Sequence, residues 1–290
     1  MVDIGQILDK IDHLPALPSS VVCVIDMLTS GTTDLGEIEQ IVRHDEALSM
    51  AILRYANSAR YGRPGRMFDL KQSIVRLGGK VLMKIVLEQQ ASAVFVSAGA
   101  AYGLRRGAMW RGALGGALAA DEIARTRDFA DKDLCFLCGL VRDVGKLVMD
   151  MHFGSEYLSI ITKHVQPELT FVECERAAFG FDHAQIGGEL AARWGLPERI
   201  CKAIRFHHEP PIDEPDHDLL IDIVHAADII CLWAGLALGH DGMQYRLAPH
   251  VRDGLGLDRR EAELDISLTW CRLREIEESM ESALVEDQGS

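Results

Sequence analysis

Gly139-Leu140-Val141-Arg142-Asp143-Val144-Gly145-Lys146 lies mid-chain, inside a run from about 133 to 150 whose apolar spacing reads as a helix. Three charged side chains, Arg142, Asp143 and Lys146, interrupt a segment otherwise suited to a core. Downstream the helical period recurs at 154–165, 168–178, 183–193, 197–207 and 217–238. In or at the ends of those runs stand Asp182-His183, His207-His208 and His225-Ala226-Ala227-Asp228. Upstream, Met109 to Ile123 is dense in small residues, with Gly112, Gly115 and Gly116 among alanines. Each interior glycine costs roughly 1 kcal/mol relative to alanine. Close backbone approach is the compensation, which places this helix deep in the molecule.

Toward the N-terminus the same period continues. Val21, Val22, Ile25 and Leu28 define a helix over 18–30, led in by Pro15 and Pro18. Asp34 opens a second helix, Asp45 a third, and 70–96 gives a pair broken at Leu77-Gly78-Gly79. Strand-type alternation is almost absent, so the expected fold is all-α. The small-residue stretch Val96–Gly103 marks a boundary. We expect an N-terminal helical lobe over 1–98, a central lobe over 99–240 and an acidic helical extension over 241–290. The final amphipathic helix, about 258–285, would pack back on the body or present a partner face.

Hydrophobic residues make up 48% of the 290, which supports a substantial core and argues against disorder. The net charge of −14 is uneven. Residues 1–100 carry 10 Lys+Arg against 11 Asp+Glu, and the remainder 20 against 33. That field disfavours nonspecific nucleic-acid binding by the C-terminal part. Seven scattered cysteines fit a reducing cytosol better than a disulfide framework. Met1-Val2-Asp3-Ile4-Gly5 shows no basic lead into an apolar run, and no stretch approaches the ~18 apolar residues of a membrane span. A cytoplasmic protein without membrane contact is expected.

Four elements of the N-terminal part occur in order: Leu14-Pro15-Ala16-Leu17-Pro18, His44-Asp45-Glu46-Ala47-Leu48-Ser49, Arg54-Tyr55-Ala56-Asn57-Ser58-Ala59-Arg60-Tyr61-Gly62 and Ser73-Ile74-Val75-Arg76-Leu77-Gly78. As a set, from about 10 to about 235, the chain resembles the HDOD family, the HD-related output domain of bacteria. It is a relative of the HD and HD-GYP metal-dependent phosphohydrolases. The resemblance implies an HD-like helical bundle and a regulatory or signalling role, with other signalling proteins as partners.

The resemblance also implies a ligand ladder, and here the ladder departs from the family pattern. The first family histidine falls on Gly112, and the histidine of the HD pair on Arg142. What remains is Asp143, His183, His207, His208 and Asp228. A metal-bound hydroxide cleaves phosphate esters because the ion lowers the pKa of its water and balances phosphoryl charge. That chemistry needs several imidazole and carboxylate ligands converging from separate helices. Arg142 instead offers only donors and a permanent charge. We expect it to act as an internal cation, paired bidentately with Asp143 or Asp228; the plainer alternative turns it to solvent. No cofactor is then required. The competing expectation is one retained divalent ion (Mn, Fe, Mg or Zn) on the remaining ligands, and with it a phosphohydrolase of altered site. Adjacent His207 and His208 would point about 100° apart on a helix and need not face one centre.

Lys146, one turn after Arg142, adds a second positive charge. The two could accept a nucleotide or another phosphate-type anion. Cys135 and Cys138 lack a second zinc-type pair and are expected to pack as small apolar residues. Residues 47–87 hold eight basic side chains against Asp69 alone. Most are expected to be solvated or bonded to carboxylates, as for Arg54 and Arg76. The Gly- and Pro-punctuated loop with Arg60, Tyr61, Arg63 and Arg66 is the candidate partner contact. Asn57 is expected to make a buried capping or bridging hydrogen bond. His225 lies one helical turn from Asp228, either beside a ligand Asp228 or in a local hydrogen bond to it. Homodimerisation through the last helix is left open beside a monomer.

Overall fold

A computed structural model describes residues 4–10, 24, 27, 35–44, 46–57, 69–95, 98–213, 217–236, 238–242 and 244–287. Among them every regular element is a helix and none is a strand, as the spacing predicts. In chain order these are α1 (Ile4–Lys10), α2 (Leu35–Val42), α3 (Glu46–Ala56), α4 (Leu70–Phe95), α5 (Ala108–Thr126), α6 (Lys132–Val141) and α7 (Val144–Phe153). There follow α8 (Glu156–Ile161), α9 (Phe171–Phe179), α10 (His183–Arg193), α11 (Glu198–Phe206), α12 (Leu219–Trp233), α13 (Pro249–Gly254) and α14 (Arg259–Asp287). The helix expected over 18–30 falls mostly outside the described residues, as does the loop carrying Arg60, Tyr61, Arg63 and Arg66. The break at Gly78 is present, at φ 72° and ψ 164°.

The run 133–150 is two helices rather than one. α6 ends at Val141 and α7 begins at Val144, with Asp143 at φ −92°, ψ 14° between them. In an uninterrupted helix neighbouring residues diverge by about 100°. The turn instead lets Arg142 and Asp143 point into one buried space. Sequence reasoning also passed over α13, which starts on a proline, a residue suited to the first helical position.

The core is organised around α5, which packs against α6, α12 and α14. The contact with α6 is at glycine: a Cβ on Gly139 would meet the Gly116 carbonyl carbon at 2.8 Å. α7 meets α10 in the same way, since a Cβ on Gly145 would collide with the His183 carbonyl. Residues 220–232 of α12 are all buried, which fits its nearly continuous apolar sequence. Its polar exceptions are Asp222, His225 and Asp228, spaced along one face. α14 packs back on the body. Leu273 is fully buried, the Trp270 indole N–H donates to the Ala234 carbonyl at 3.1 Å, and Arg272 pairs with Asp121 at 2.6 Å.

Candidate functional site

α10 begins where Asp182 caps it. The Asp182 carboxylate accepts from the Gln185 N–H at 2.8 Å, and the Gln185 side chain accepts from the Asp182 N–H at 3.2 Å, a reciprocal box that fixes the first turn. His183, the first helical residue, therefore points inward. Its Nδ1–H donates to Glu175 Oε2 at 2.6 Å and its backbone N–H to the same oxygen at 2.9 Å. The other Glu175 oxygen accepts the hydroxyls of Tyr102 and Tyr157, both at 2.6 Å. Burial would raise the Glu175 pKa, but His183 and these donors outweigh it and lower it. Burial would lower that of His183, and Glu175 outweighs it, so the imidazole is held above its ordinary value.

His207 and His208 face the same centre, contrary to the divergence of an ideal helix, because α11 has ended at Phe206. Their ring centroids are 3.8 Å apart. His207 Nδ1 donates to the Ile204 carbonyl at 2.6 Å, which leaves a bare lone pair on Nε2. Burial pushes its pKa down to about 4. That Nε2 has no hydrogen-bond partner and lies 4.0 Å from Asp143 Oδ1. His208 Nε2 is 2.8 Å from His183 Nε2, and its ring stacks on Tyr245 at 4.4 Å. Burial, then the neighbouring imidazoles, push the His208 pKa well down.

Arg142 is 3% exposed. Its Nε donates to Asp228 Oδ1 at 2.7 Å and its Nη2 lies 3.2 Å from Asp143 Oδ2. Nη1 donates to the carbonyls of Gly139 at 2.7 Å and Gly112 at 3.3 Å. The guanidinium thus bridges both carboxylates instead of gripping one bidentately, and it is not turned to solvent. Burial alone would lower its pKa; Asp143 and Asp228 outweigh that and raise it. Lys146 Nζ sits 3.1 Å from Asp143 Oδ1 and 2.9 Å from Asp241 Oδ2, and these carboxylates likewise overcome its burial and raise its pKa. Asp143 is driven far down despite burial, by Lys146 and then Arg142. The expected positive corner is therefore a lattice of alternating charges in which each cation touches two carboxylates.

Asp143, His183, His207 and His208 each bring one ligand atom to within 4.8 Å of the others, a group that could hold a metal ion. By donor type, three imidazoles and a carboxylate fit a single divalent transition ion. The unpartnered His207 Nε2, 4.0 Å from Asp143 Oδ1, points the same way. Lys146 opposes it, since its ammonium lies on the very oxygen an ion would use. A second ion has few ligands left, because Asp228 Oδ1 and Asp143 Oδ2 face Arg142.

Other expectations resolve locally. His225 does not bond to Asp228. Its Nδ1 donates to the His207 carbonyl at 2.7 Å and its Nε2 accepts from the Ala248 N–H at 2.9 Å. Cys135 and Cys138 are buried and free, with burial raising both thiol pKa values. Asn57 is exposed rather than buried, its amide donating to the Leu53 carbonyl at 2.8 Å. Arg76 Nη1 is buried without a hydrogen-bond partner among the described residues, so the expected carboxylate pairing is not seen there. Glu175, Asp241, Tyr102 and Tyr245 were not foreseen. For Glu175 a signal existed. The Thr170–Glu173 capping box sets the register of α9, and that register turns position 175 inward among Phe171, Val172 and Cys174.

The HDOD domain model matches residues 14–210. The chain belongs to the HDOD family. An uncharacterized protein of Treponema pallidum (strain Nichols) is 30% identical to this HDOD chain over 235 residues, 78% of the chain and 43% of the relative. The chain thus spans less than half the length of that relative. A protein of Marinobacter aquaeolei VT8, provisionally described as a signal transduction protein, superposes with a TM-score of 0.69 at 21% identity, over 93% of this chain and 60% of its own. One from Shewanella amazonensis SB2B, provisionally described as a phosphohydrolase, gives 0.60 at 23% identity, over 91% and 98%. At such identities these two likenesses establish the HDOD fold alone. No described helix is long and apolar enough to cross a membrane.

Proposed function

We propose that this HDOD protein is a signalling or scaffold protein that acts without catalysis, its Arg142 guanidinium standing as a permanent internal cation where HD hydrolases hold metal. The observation that supports this reading is the bridge from Arg142 to both Asp143 and Asp228. Two carboxylates that an ion would need are neutralised by the chain itself, and buried carboxylates stay ionised only with such partners. Function then rests on contacts with other signalling proteins, with the loop of Arg60, Tyr61, Arg63 and Arg66 as the proposed contact. A phosphate-type ligand at Arg142 and Lys146 is the less favoured refinement, because both cations are already engaged. Nucleic acid is disfavoured by the acidic charge.

A second reading is a mononuclear phosphohydrolase, favoured by the four convergent ligand atoms of Asp143, His183, His207 and His208. In that case the ion would activate water, and the chain would orient it through Glu175 behind His183. Metal content of protein purified without chelator, loaded with manganese or iron, separates the two. The first reading expects no ion whose retention depends on His183. Near-stoichiometric metal that disappears in His183→Ala would overturn it in favour of the second.

A further inference from the structure

We infer that His217, Asp222 and His250 form a separate divalent-metal site, of zinc-type chemistry, at the N-terminal end of α12. Asp222 is 5% exposed in a helix that is otherwise almost wholly apolar. A carboxylate so placed needs a partner for each oxygen. Oδ2 has one, the His217 Nε2 at 3.0 Å. Oδ1 has none, and the atom it faces, His250 Nε2 at 3.9 Å, has none either. Two unpartnered polar atoms thus oppose each other across a gap too long for a hydrogen bond.

An ion resolves that arrangement. Zinc bonds to imidazole nitrogen and carboxylate oxygen place two such ligands roughly 3.4 Å apart at the tetrahedral angle. A closure of about half an ångström therefore seats the ion between Asp222 Oδ1 and His250 Nε2. His217, already on the same carboxylate, supplies the third ligand by rotating toward it, and water the fourth, as in open three-ligand sites. Both imidazoles are partly exposed, at 35% and 25% of their side chains, while Asp222 Oδ1 and His250 Nε2 themselves are buried. No lysine or arginine among the described residues pairs with Asp222. The nearby Arg199 is committed to Asp218 and Asp131. This is the opposite of Asp143, which two cations hold. The neighbouring His225 is excluded as a ligand, because both its ring nitrogens are occupied.

Zinc titration by calorimetry, on the whole chain, tests the assignment. Wild type should bind one equivalent that survives His183→Ala. His217→Ala and His250→Ala should each weaken that equivalent by at least the roughly tenfold that losing even an outer-shell partner costs. His250→Gln, which keeps the bulk, should behave like His250→Ala. Both histidines are partly exposed, and a retained unfolding transition shows that each variant folds. Unchanged zinc binding in the His217→Ala/His250→Ala double variant would overturn the site. So would the absence of any His183-independent equivalent, which would leave a bridging water as the occupant of the gap. Neither result bears on manganese or iron at His183.

Discussion

Gly116 supplies the space that Arg142 fills: a Cβ at position 116 would come within 2.6 Å of the Arg142 Cζ and closer still to Nη1. The missing side chain on α5 and the long side chain from the end of α6 are complementary. The sequence showed a small-residue helix and a displaced histidine as two separate facts, and the packing makes them one.

Gly116→Ala should therefore destabilise. Alanine gains up to about 1 kcal/mol of helix propensity, but overpacking a fixed neighbour costs about 1–3 kcal/mol. Arg142 cannot retreat without stranding two carboxylates. We expect a lower urea midpoint at unchanged slope. Gly254→Ala, where a Cβ meets nothing within 4 Å, serves as a control and should be neutral or stabilising.

Arg142→Met should cost roughly 3–5 kcal/mol, the scale for removing one partner of a buried ion pair. Arg142→Lys should fall between wild type and Met, since one ammonium cannot reach Asp143, Asp228 and the two backbone carbonyls together. Equal stability of the Met and Lys variants in denaturant titrations would mean that charge is irrelevant at this position.

Glu175→Gln looks conservative and should not be. The Glu175 carboxylate accepts four hydrogen bonds, from two tyrosine hydroxyls and from the backbone and ring of His183. An amide nitrogen placed there meets donors with a donor. A loss of about 2–4 kcal/mol is expected, from unmade bonds to buried groups. Tyr157→Phe, which removes a single donor, should cost only about 1 kcal/mol. Thermal unfolding of the two variants compares them directly.

Asp265 predicts a pH slope. It is fully buried on α14, with Arg127 Nη1 at 3.6 Å and no hydrogen bond to either oxygen. Burial pushes its pKa up to about 6, against the pull of Arg127. The unfolded chain releases that proton near pH 4, so between about 4 and 6 the folded state holds a proton the unfolded state lacks. Stability should fall as pH rises through this window and level off above it. Asp265→Asn should match wild type near pH 4 and exceed it by up to about 3 kcal/mol at pH 7. A wild-type-to-variant difference that does not change with pH would refute the assignment.

The helical period gave α10 to the residue, because His183–Arg193 has both a regular apolar face and a capping Asp182. It failed at Arg142-Asp143, where the apolar spacing runs on through a break made by side chains seeking a common centre. The divergence expected of His207 and His208 failed for the same reason: a helix end is invisible to periodicity. The family likeness picked out Asp143, His183, His207, His208 and Asp228. Lys146 has its partner Asp241 95 positions away, and no local pattern reports such a contact.

The segment after α12 reaches back over the centre. Asp241 holds Lys146, Tyr245 lies flat on His208, and Ala248 fixes the ring of His225, which in turn grips the His207 carbonyl. The family match stops at 210, short of His225, Asp228, Asp241, Tyr245 and Ala248. Homology and architecture thus end at different places: a fragment trimmed to the matched region would lose one wall of its own interior and leave Arg142 and Lys146 each short of a counter-ion.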